Sequence, residues 1–228
     1  MDGVTIITGP RTGAGHLFAL LRNFEAVAPR DGLFADGVGG AEARIDAAER
    51  EAGAAGKSLL ALKATSELPI QAIEHVLERP RMHAVFVLRR QIDAYVSLAK
   101  ATALGAFRDT DLTRVKVKLD VARFALWLDE QEAWYAHWQH ALQRRGVPMP
   151  ILRYETHLSM PPESVLRSFA AAMRQLGIEL RVPSALTHPG LVKQDRENAA
   201  ASRVRNWPDF SRGLIERGIE KRAFGYPL

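Results

Sequence analysis

One short stretch near the start of the chain constrains its fold more than any other: Gly9-Pro-Arg-Thr-Gly-Ala-Gly-His16. A continuously apolar or β-branched run at residues 4–8 precedes it, and a helix-patterned run at 17–24 follows. A strand covered on both faces shows no polar alternation, so 4–8 reads as such a strand. Strand, glycine-rich turn and helix together form a phosphate cradle. The turn lets backbone N–H groups approach an anion, and the helix N-terminus adds a partial positive charge. His16 stands where a nucleotide-triphosphate loop carries Lys and then Ser or Thr, so the loop is a variant of that signature.

The pattern downstream repeats the strand–helix theme. Residues 29–40, rich in Gly and Asp, read as a loop, and 41–52 as a helix stopped by Gly53 and Gly56. Residues 58–63 form a second strand, left by a turn at 64–68, and Pro69 opens a helix to about residue 79. Residues 83–88 are a third strand, leading into a helix that reaches about residue 103. Residues 110–113 look like the start of the next helix, whose pattern runs to about 145; that length predicts a break. Residues 149–153 are a fourth strand, and a helix from 161–164 reaches 176, with Gly177 as its stop. After Pro183 the pattern weakens into a polar, arginine-rich tail. Strands alternating with helices predict an α/β fold, a parallel sheet covered on both faces, with ligands beyond the carboxyl ends of the strands.

The 228 residues suit a single domain, 1–228, with a tail from about residue 184. A formal charge of +5 favours anionic ligands, yet no dense Lys/Arg block suggests nucleic acid. With no cysteine there is neither a disulfide framework nor thiol chemistry, and the seven histidines show no metal-ligand spacing. No apolar run approaches a bilayer-spanning length, and the first residues lack a signal-peptide pattern, so the expectation is a cytoplasmic protein without a membrane partner. Oligomeric state is not encoded in any visible pattern.

A second anion site is written into Leu88-Arg-Arg-Gln-Ile-Asp-Ala-Tyr-Val-Ser97. Arg89 ends a buried strand, and Ser97 follows eight residues later in the first turns of a helix. A guanidinium offers forked donors to a phosphate, and a hydroxyl adds another. Two such sites, after the first and third strands, suit a ligand phosphorylated at two separated positions.

In these residues the chain resembles the sulfotransferases that use 3′-phosphoadenosine 5′-phosphosulfate. Their 5′ loop is similar to Pro10-Arg-Thr-Gly-Ala-Gly-His16, and their 3′-phosphate segment matches the spacing of Arg89, Asp93 and Ser97. Arg153-Tyr-Glu155 with Pro162-Glu163 resembles a further segment, and the stretch from Lys193-Gln-Asp195 through Arg203, Arg205, Asn206 and Trp207 resembles the C-terminal cofactor clamp of bacterial members. The resemblance implies a three-layer, P-loop-like α/β fold and sulfuryl transfer to a hydroxyl or amine of a small metabolite or glycan, with no metal. It further implies that the amides of Thr12, Gly13, Ala14 and Gly15 hold the 5′-phosphosulfate, with Arg11 against the leaving bridge oxygen. Arg89 and Ser97 would hold the 3′-phosphate, His16 and Tyr154 would lie near the adenine, and Arg203 or Arg205 would close over the phosphates. For the acceptor's general base, Glu67 is the first candidate and His75 the second.

Ala14 and Gly15 carry no hydroxyl where the family has them, and no histidine follows the second strand. Two alternatives therefore stand beside the enzyme: a nucleotide-binding scaffold without transfer, and a P-loop small-molecule kinase, which the absent Lys-Ser/Thr pair disfavours. Asp93 suits the positive end of its helix. Trp127, Trp134 and Trp138 with Leu142 fall at helical spacing and read as a core stripe, while Glu130, Glu132, Arg144 and Arg145 read as solvated charges. The acceptor is expected to be lined by 30–56 and 104–138.

Overall fold

The computed structural model describes residues 1–34, 40–107, 110–188, 190–191, 193–197 and 199–228. It has an α/β fold with a five-stranded, all-parallel sheet flanked by helices. The strands are β1 (Asp2–Thr8), β2 (Val27–Arg30), β3 (Leu59–Thr65), β4 (Met82–Leu88) and β5 (Ile151–Arg153), in the order β2-β3-β1-β4-β5. The helices are α1 (Ala14–Leu21), α2 (Ala41–Ala54), α3 (Ile70–Glu78), α4 (Gln91–Leu104), α5 (Val121–Arg144), α6 (Pro162–Gln175), α7 (Ala200–Arg203), α8 (Trp207–Glu216) and α9 (Glu220–Phe224).

The chain divides into two compact units. The first comprises Met1–Gly9, Gly13–Leu88 and Arg145–Gly190; the second comprises Pro10–Thr12, Arg89–Arg144 and Leu191–Leu228. In the first, the central strands are buried on both faces, which explains their continuous apolar sequence. Val4, Ile6, Leu59, Ala61, Val85 and Val87 pack with Leu17, Phe18 and Leu21 of α1 and with Val165, Leu166 and Phe169 of α6. On the opposite face Ile7, Leu60, Leu62 and Phe86 are equally inaccessible to solvent. The register sets Thr8 of β1 opposite Val87 of β4, so the segments led by Gly9 and by Arg89 leave the same edge of the sheet.

The second unit is helical. Ile92 and Val96 of α4, Phe124 and Leu128 of α5, Phe210 and Leu214 of α8, and Ala223 of α9 form its core. Tyr95, Phe124, Trp127 and Phe210 meet there at ring separations of 4.9 to 5.5 Å.

Several features differ from the pattern read in the sequence. Residues 27–30, partly assigned to the 29–40 loop, are the edge strand β2; Pro29 is tolerated there because an edge strand leaves one side of its backbone unpaired. Residues 35–39 of that loop lie outside the described residues. The helix expected from 110–113 begins at Val121 instead. Residues 115–119 are extended, Val117 bridges Val204, and Asp120 caps α5 through the Arg123 N–H at 2.8 Å. The helix α5 then runs 24 residues unbroken. The tail is not featureless: α7, α8 and α9 bury Ala200, Val204, Phe210, Leu214, Ile219 and Ala223. The strand and turn expected at 58–63 and 64–68 shift slightly, since β3 continues through Ala64 and Thr65. In α5, Trp134, Trp138 and Leu142 are buried as core residues, while Trp127 is partly buried against the second core.

Candidate functional site

The glycine-rich loop is built by two requirements at Gly13. It is the N-cap of α1 with φ +91°, a left-handed conformation that favours glycine. A Cβ at this position would lie 2.6 Å from Cδ2 of Tyr154, so the tyrosine ring closes directly on the turn. Tyr154 opens a π-helical turn, Tyr154–Leu158, at the end of β5, and packs on the first unit's core. Gly13 supplies no capping side chain, so none shields the first-turn amides of Ala14 and Gly15 from an incoming anion. The Ala14 methyl is buried in the hydrophobic core, so a hydroxyl there would enter apolar surroundings; its missing hydroxyl follows from packing. His16 lies against the tail backbone: a Cβ at Gly190 would fall 2.6 Å from its Cε1.

In the second unit, three residues singled out from sequence come together. Arg11 has φ +59°, a left-handed backbone that costs a non-glycine residue about 1–2 kcal/mol. Its Nε donates to Ser97 Oγ at 3.0 Å, its Nη1 to the Phe107 carbonyl at 2.8 Å, and its Nη2 to Gln194 Oε1 at 2.6 Å. Arg89 Nη1 donates to the Arg11 carbonyl at 2.9 Å. The two expected anion-binding segments, 86 residues apart at Arg11 and Ser97, thus meet in one cluster.

A buried ion network adjoins them. Asp93, Ser97 and Lys100 share one face of α4 and are all buried. Asp93 accepts from Arg203 and forms an ion pair with Arg90, whose Nε lies 2.8 Å from its carboxylate. Lys100, fully buried, donates to Asp195 Oδ2 at 2.6 Å and to the Leu112 carbonyl at 3.1 Å. Arg203 Nη1 also lies 4.0 Å from Asp195. Partial desolvation, and then the Arg89 guanidinium, push the Lys193 amine below the usual lysine range. With Arg11, Arg89, Arg90, Lys100, Lys193 and Arg203 around Asp93 and Asp195, the set is strongly cationic. Such a donor-rich, positive set suits a ligand carrying phosphate or sulfate oxygens.

The remaining expected residues are placed differently. Arg203 reaches inward to Asp93 and is 2 % exposed, whereas Arg205 is exposed and its amide donates to the Val117 carbonyl. Glu67 is exposed on the turn after β3, and His75 is exposed on α3, 4.0 Å from Glu42; both belong to the first unit and not to the Arg11 cluster. Thr12 is buried. Glu132, read as a solvated charge, pairs with Arg222 at 2.8 Å. Arg145 donates to the Leu77 carbonyl. Sequence reasoning missed Lys100, which stands three residues after Ser97 and seven after Asp93, so a polar stripe at helical spacing was its signal; Gln194 stood only within the Lys193-Gln-Asp195 stretch, with no role of its own.

Among the described residues no group of three or more His, Asp or Glu gathers as a metal site, and no helix is long and apolar enough to cross a membrane. No family model, curated protein or solved structure matches the chain.

Proposed function

We propose that the chain is a cytoplasmic sulfotransferase of the P-loop-like, three-layer class. It would move a sulfuryl group from 3′-phosphoadenosine 5′-phosphosulfate to a hydroxyl or amine of a small metabolite or glycan. One observation carries the reading: Arg11 and Ser97 lie within 3.0 Å of each other, and Arg89 is bonded to the Arg11 carbonyl. The residues expected to serve the 5′ and 3′ ends of one doubly phosphorylated nucleotide are therefore neighbours. All of them present donors or positive charge, which is what phosphate and sulfate oxygens require.

The donor supplies an activated sulfuryl group. In this reading the amides of Gly13, Ala14 and Gly15 hold the 5′ end, while Arg89 and Ser97 hold the 3′-phosphate. The acceptor oxygen attacks sulfur as the bond from sulfur to the bridge oxygen breaks, and the Arg11 guanidinium stabilises the charge that builds on the bridge oxygen. Glu67 is the first candidate to take the acceptor's proton and His75 the second. Incubation with sulfur-labelled donor and a panel of hydroxyl and amine acceptors tests the reaction: label is expected on at least one acceptor and to be lost in Arg11→Ala. Unlabelled acceptors throughout would contradict it.

A second reading is a scaffold that binds the nucleotide without transfer. It is favoured by the three bonds that already engage Nε and both terminal nitrogens of Arg11. Turnover of any acceptor removes this reading.

A further inference from the structure

Gln194 is held from several directions. Its carbonyl accepts from the Leu112 N–H at 2.6 Å, and the neighbouring Asp195 is tied to Lys100, which also bonds the Leu112 carbonyl. Its side-chain Oε1 accepts from Arg11 Nη2 at 2.6 Å. A guanidinium has donors only, so the amide oxygen must face Arg11 and the amide NH2 must face elsewhere. That Nε2 is buried, and among the described residues it has no acceptor. Ser97, on another nitrogen of the same guanidinium, is in the same state: it accepts from Arg11 Nε, and its own O–H donates to none of the described residues. Leaving a buried donor unmade is costly, and such groups call for a partner that arrives from outside.

We propose that Gln194 is a ligand-binding residue: its Oε1 grips Arg11 while its Nε2, together with the Ser97 hydroxyl, donates to an oxygen of a phosphate- or sulfate-bearing ligand. Arg11 turns both side chains so that their hydrogens are presented away from it. Two donors converging beside the Arg11 guanidinium suit an oxyanion. The assignment rests on the sulfotransferase reading for the identity of the nucleotide.

Gln194→Glu separates the two possible roles. A glutamate keeps, and strengthens, the grip on Arg11 but has no hydrogen to donate and brings a negative charge. Wild type, Gln194→Glu and Gln194→Met are titrated calorimetrically at one fixed ionic strength with adenosine 3′,5′-bisphosphate and, separately, with inorganic pyrophosphate. Unchanged thermal unfolding shows that each variant folds. The expected result is a loss of affinity of about tenfold or more in Gln194→Glu, and a smaller loss in Gln194→Met. Equal or tighter binding by Gln194→Glu overturns the assignment and leaves the sulfotransferase reading standing. Loss confined to pyrophosphate, with no nucleotide binding by wild type, supports the assignment and overturns that reading. Binding of neither probe by wild type overturns both.

Discussion

Arg11 holds a left-handed backbone that its side chain alone does not favour, and three hydrogen bonds from the same side chain offset the cost. The buried charges behind it are equally interdependent. Removing the ammonium of Lys100 leaves Asp195 buried without its close partner, and breaking one side of such a pair costs about 3–5 kcal/mol. Lys100→Met is therefore expected to lower the free energy of unfolding by about that much. Adding Asp195→Asn, which keeps an acceptor for the Glu197 amide, restores most of it. Urea denaturation of the single and double variants checks this, and an unrepaired double variant would contradict it. Arg89 and Ser97 were legible in the sequence because a cation at the end of an apolar strand, eight residues from a hydroxyl, has few structural explanations. Lys100 was not, because a lysine within a helix is ordinarily solvated, and its burial depends on Asp195, 95 residues away.

Among the elements, the short strand β5 passes directly into the π-helical turn that carries Tyr154, and His157 fastens this junction. Its Nδ1 accepts from the Arg153 amide at 2.8 Å, which requires the neutral ring. Desolvation first, and the Arg153 charge second, hold its pKa below the usual 6.5. A histidine whose folded pKa is depressed adds stability above its unfolded pKa, and that contribution is lost as pH falls through the lower folded value. Between pH 7.5 and pH 5 the urea midpoint of the wild type should accordingly fall further than that of His157→Gln; parallel falls would show that this histidine does not couple to folding. The central strands were legible because burial on both faces leaves a continuous apolar run. The edge strand β2 was obscured by Pro29, which reads as a loop residue until β3 supplies its partner. The start of α5 was misplaced because Thr110-Asp-Leu-Thr113 resembles a helix start, whereas the alternation Lys116-Val117-Lys118-Leu119 marks extended chain ending at the Asp120 cap. The tail helices were hidden because their apolar residues are sparse and find their core only against α4 and α5.

At the scale of the molecule, a net charge of +5 says little by itself, but its distribution says more. The second unit gathers cations around Arg11, Arg89 and Lys193 that outnumber the carboxylates bonded among them, while the first unit supplies a parallel sheet and a glycine-capped helix start. The cation cluster is more than an α/β fold needs to hold together, and in the proposed reading it serves an anion. The central claim is that Arg11, Arg89 and Ser97 belong to one site for a nucleotide phosphorylated at two positions. Calorimetric titration with adenosine 3′,5′-bisphosphate tests it most directly. Wild type is expected to bind, and Arg89→Ala to bind more weakly by about 1.5–3 kcal/mol, the worth of one charge-assisted contact. No binding by the wild type, or equal binding by Arg89→Ala, would contradict the claim.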